Sequence, residues 1–148
     1  MRRLMLTLFV CFSFGVARAD DDANKEMKLL EGEWSMVSGE REGTTFPDEV
    51  VKSAKRVTKD GETTTELNGT VVLKAKFKVD ASKNPKTIDY EITDGPAKGK
   101  TMLGIYELKG DDFKACMVMS DQERPTDFTT KEGDGRTLTV WKRAKKDQ

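Results

Sequence analysis

From Val71 to Asp80 the chain alternates, with Leu73, Ala75, Phe77 and Val79 on one side and Lys74, Lys76 and Lys78 on the other. Apolar residues at period two describe a strand with one face in a core and the other in water. The pattern recurs on both sides of this segment. Before it, Glu33 to Arg41 carries Trp34 and Met36 at the same period, Phe46-Pro47-Asp48 turns the chain, Asp48 to Ser53 forms one helical turn, and Ala54 to Thr58 is a short strand. Glu62 to Leu67 returns from it, and the turns Asp60-Gly61 and Asn68-Gly69 bracket that return; both pairs suit the positive φ of a type I′ hairpin.

After it, Thr87 to Thr93 sets Ile88, Tyr90 and Ile92 opposite Asp89 and Glu91. Asp94-Gly95-Pro96 and Gly99 connect to Thr101 to Leu108, which is apolar on both faces; Gly104 inside it signals a bulge or a close backbone approach. Phe113 to Met119 follows a Gly110 turn, and Arg136 to Arg143 forms the last strand after a long connection from Ser120 to Gly135. Eight strands joined mostly by hairpins close most economically into an all-β, antiparallel up-and-down barrel, which leaves no edge exposed. A short N-terminal helix, from Asp20 to Leu30, leads into it.

The first residues belong to a different class. Met1-Arg2-Arg3, an apolar run from Leu4 to Val16, Ala17-Arg18-Ala19 and then Asp20-Asp21-Asp22 form the pattern of a secretory signal peptide, with cleavage expected after Ala19. Residues 1–19 are therefore read as the signal and 20–148 as one barrel domain of an exported protein, periplasmic or extracellular. The apolar run is too short for a transmembrane span, which needs about 20 residues.

Without the signal, 23 basic residues face 26 acidic ones, which leaves no basic footprint for nucleic acid. About 31% of that part is apolar, a composition near the disordered class, but the ordered alternation and near-zero net charge favour a fold with a thin core. Cys11 would leave with the signal, so Cys116 has no intramolecular partner and reads as a small buried hydrophobe. The chain has no histidine. Ser-His-Asp and Cys-His catalysis and histidine-ligated zinc or haem are thereby closed, and no metal or cofactor is expected.

Several strings of residues carry a family resemblance: Leu30-Glu31-Gly32-Glu33-Trp34, Asn84 to Asp89, Gly95-Pro96 with Gly99-Lys100-Thr101, Gly104 to Leu108, Gly110-Asp111, Cys116, and Arg124 to Phe128. In that order they resemble the lipocalin-like domain family of unknown function expanded in Planctomycetes, over about residues 26 to 143. The resemblance implies a calycin-like barrel with Gly32 and Trp34 at its floor and Arg143 lying across the tryptophan, and it implies no activity. Asp80 and Asp89 read as turn and loop caps. Arg124 and Asp127 have three readings: they pair with those aspartates, they pair with each other, or Arg124 receives an acidic ligand at the barrel mouth.

An eight-stranded barrel is either filled by its own side chains or holds one small ligand. Leu73, Phe77, Ile88, Tyr90, Tyr106 and Met117 are the candidate lining. The first expectation is a binder of a small hydrophobic molecule; the alternative is a non-enzymatic interaction module of the cell envelope with a filled interior. No catalytic constellation is visible in the sequence.

Overall fold

The computed structural model describes residues 16–145. The expected signal peptide lies outside them, apart from residues 16–19. The order of elements is α1 (Val16–Leu29), β1 (Gly32–Arg41), β2 (Thr44–Thr45), α2 (Asp48–Ser53), β3 (Ala54–Lys59), β4 (Glu62–Leu67), β5 (Thr70–Asp80), β6 (Lys86–Asp94), β7 (Thr101–Lys109), β8 (Asp112–Met119) and β9 (Thr137–Arg143). Strands β1 and β3 to β9 pair antiparallel in chain order, and β9 returns to β1, so eight strands form a closed up-and-down barrel. The two-residue β2, not foreseen in the sequence, pairs outside it with the end of β1. The described helix already includes residues 16–19, ahead of the Asp20 start expected from the sequence, so the expected cleavage position falls within it; alanines 17 and 19 are strong helix formers.

Local chemistry accounts for the tightest connections. Asp60 and Gly61 have φ of 51° and 77°, and Asn68 and Gly69 have 51° and 78°, the left-handed pairs that a type I′ hairpin requires. Along β5 the alternation holds, with Ala75, Phe77 and Val79 buried and Lys76 and Lys78 exposed. In β1 a register shift between Met36 and Ser38 changes the phase of the strand. Trp34 and Met36 face inward before it, and Gly39 and Arg41 after it. A Cβ on Gly104 would clash with the Met117 Sδ and lie 2.7 Å from the Cys116 carbonyl oxygen. The reason for glycine in β7 is thus a close approach to β8, and the register there is unbroken.

The two ends of the barrel are built differently. One is a floor: Trp34 packs on Phe113 at 5.7 Å between ring centroids, Tyr106 on Phe113 at 6.1 Å, and Leu30 and Met27 cover them from the helix side. Glu26 of α1 is buried there, accepting from Tyr106 Oη at 3.1 Å and pairing with Lys86 at 2.7 Å. At the other end the chain between β1 and β3 folds back as a cover. Phe46 occupies the space a side chain on Gly39 would need, and its amide donates to the Gly39 carbonyl at 2.9 Å.

The long 120–136 connection covers the outer face of β7 and β8. Its Pro125 is buried, as are the outward-facing Ile105, Cys116 and Val118. Burial pushes the Cys116 thiol up to about 11.

Candidate functional site: a barrel cavity with a buried arginine

Beyond the packed floor the barrel holds a cavity of about 490 Å³. Met36, Leu73, Met102 and Met117 supply apolar wall; Phe46 and Val50 close over it from the cover segment. Thr65, Thr137 and Thr139 add hydroxyls, the last of which accepts from Trp141 Nε1 at 2.9 Å. Exposed Arg41 stands at the rim, and the lining contains no carboxylate or thiol.

At the inner end lies Arg56, on β3, with 5% of its surface exposed. Its Nη2 donates to Tyr90 Oη, and its Nε lies 3.4 Å from Thr58 Oγ1, a long contact. Thr58 in turn bonds Thr63 at 3.0 Å, both buried. The Arg56 Cζ lies 4.7 Å from the Phe113 ring centroid, 5.5 Å from that of Tyr90 and 5.9 Å from that of Trp141, so its cation is held among three aromatic rings. Among the described residues it has no salt bridge.

Of the six residues expected to line a pocket, Leu73, Tyr90 and Met117 border this cavity. Phe77, Ile88 and Tyr106 do not border it; they are buried in the packed core. Tyr106 is committed to the floor, its hydroxyl pKa raised first by burial and then by the adjacent Glu26. Gly32, Trp34 and Arg143 lie together at the floor. Trp34 and Arg143 are cross-strand neighbours, and the guanidinium lies 4.3 Å from the indole centroid, a contact worth about 0.5–2 kcal/mol. Arg143 Nη1 fills the place of a Gly32 Cβ, which would meet it at 2.8 Å.

Arg124 takes the first of its three readings. Its Nη2 is 2.7 Å from Asp89 Oδ1, an ion pair out of hydrogen-bond alignment, and its Nη1 donates to the Gly104 carbonyl at 2.8 Å. It pins the 120–136 connection to β6 and β7 and does not border the cavity. Asp127 pairs with Arg136 at 2.9 Å, and Asp80 caps its turn by accepting from the Ser82 amide at 3.0 Å.

Sequence reasoning missed Arg56. In β3 the inward positions are Ala54, Arg56 and Thr58, while Val57 is 46% exposed, so hydropathy points to the wrong face. The one available signal was the phase carried through the Asp60-Gly61 hairpin: it pairs Thr58 with Thr63 and thereby sets Arg56 on the inner side. No family model matches the chain, and no curated protein or solved structure matches it either.

Proposed function

We propose that this protein is an exported lipocalin-like binding protein that carries one small hydrophobic molecule inside its barrel and performs no chemistry on it. The observation carrying this reading is the cavity of about 490 Å³ with largely apolar walls, within the roughly 300–1,000 Å³ range of small-molecule sites. The floor geometry of Gly32, Trp34 and Arg143 supports the resemblance to the Planctomycetes lipocalin-like family. The amino-terminal pattern from Arg2 to Ala19 supports export.

The test is titration of the folded protein with the neutral environment-sensitive dye N-phenyl-1-naphthylamine. Saturable binding at one site is expected, weakened by Met102→Trp, which puts bulk into the cavity. No binding to the folded wild type would return the reading to an interaction module that works through its outer surface.

A further inference from the structure

We infer that the molecule this barrel holds is a carboxylate amphiphile, its anionic end seated on Arg56 and Tyr90 and its apolar tail extending towards the cover segment. The inference rests on the cavity being the binding site. Its own support is the state of Arg56. A guanidinium does not shed its charge by deprotonating, and withdrawing a charge from water is costly unless an opposite charge or a full set of acceptors replaces the solvent. Arg56 is 5% exposed and has neither: its described partners are two hydroxyls and the faces of three rings.

Arg143 provides the internal control. It too lies over an aromatic ring, yet it bonds the Leu29 and Glu31 carbonyls and the Asp111 carboxylate. Its donors are consumed by the fold. Arg56 Nη1 bonds no described residue and is not among the buried unpartnered atoms, so it remains accessible where Arg56 borders the cavity, and Tyr90 Oη accepts from Arg56 Nη2 while its own proton has no acceptor among the described residues. Two adjacent donors at the base of an apolar cavity match the two oxygens of a carboxylate. The absence of any carboxylate from the lining and the presence of Arg41 at the rim favour the same sign of charge.

The experiment compares decanoate with decan-1-ol as competitors of N-phenyl-1-naphthylamine on the purified protein near pH 7.5. The expected result is decanoate binding at least about tenfold tighter than the alcohol, the effect of one charge-assisted hydrogen-bond pair. Arg56→Met should abolish that preference while still binding the dye, and Tyr90→Phe should reduce it severalfold. Equal competition by acid and alcohol, with the dye bound, overturns the carboxylate site and leaves the pocket standing. An undiminished preference in Arg56→Met also overturns it. Failure of the folded wild type to bind dye, acid or alcohol overturns both readings. Should Arg56→Met not fold, wild-type selectivity and its reduction in Tyr90→Phe decide the matter.

Discussion

At the floor of the barrel Arg143 lies over Trp34 with carbonyl and carboxylate partners, and the rings of Phe113 and Tyr106 fill the space beside it. One layer further in, Arg56 lies against the opposite side of the same aromatic cluster, and beyond it the barrel is open. The same device, a guanidinium on an aromatic ring, closes the structure in one place and leaves donors available in the other. The floor is packed with large rings and covered by α1, so its interactions are spent on folding. The mouth uses threonines, methionines and a folded-back cover of low burial, which trade packing for room.

Substitutions on the two sides of Arg56 should therefore differ in kind. Trp34→Ala, at the 1% exposed centre of the floor, is expected to cost about 3–5 kcal/mol in urea unfolding. Met102→Ala, on the half-buried cavity wall, should cost about 1 kcal/mol, because truncation there enlarges an existing void instead of opening a new one. Equal costs would mean that the mouth is as closely packed as the floor.

Alkaline pH should weaken the covered groups. Tyr106 and Cys116 both have folded-state pKa values raised above the ordinary 10.0 and 9.0, chiefly by burial. In the unfolded chain they ionise at those ordinary values, so unfolding releases protons and stability falls as pH rises. The Cys116 contribution is complete below pH 9 and is lost up to about 11; that of Tyr106 begins to fall near pH 10. Urea midpoints between pH 8 and 10.5 should decline, and Tyr106→Phe should flatten the upper part of the decline. An identical slope in that variant would remove the floor tyrosine from the account.

The smallest effect belongs to the outside of the barrel. Lys76→Ala, on the exposed face of β5, should change stability by less than about 0.5 kcal/mol and leave dye binding unaltered. A larger shift in either would show that the outer lysines are coupled to the interior.

Much of the barrel was legible because its information is local. Alternation in β5 and β6 is a direct consequence of side chains pointing to opposite faces, and the Asp-Gly and Asn-Gly pairs impose their own backbone geometry. Trp34 and Arg143 could be paired only through the family resemblance, since more than a hundred residues separate them. Phe77, Ile88 and Tyr106, expected on the pocket wall, are buried in the packed core instead. Facing comes from period two, whereas height along the barrel comes from strand register, to which β-bulges contribute at Met36/Ser38, Thr65/Glu66 and Lys74/Ala75. Cys116 points outward and is nevertheless buried, because the 120–136 connection lies over it.

The sequence by itself determined the strands, the hairpins, the inward face of most of them and the exclusion of histidine chemistry, each a property of neighbouring residues or of composition. Only the tertiary structure decided that one end of the interior is packed while a cavity lies beyond it, that Arg124 is tied to Asp89, and that Arg56 is buried without a carboxylate partner among the described residues. Those outcomes depend on the register between strands and on which side chains meet across the barrel. A charged residue in a short strand looks like surface until closure of the barrel places it inside.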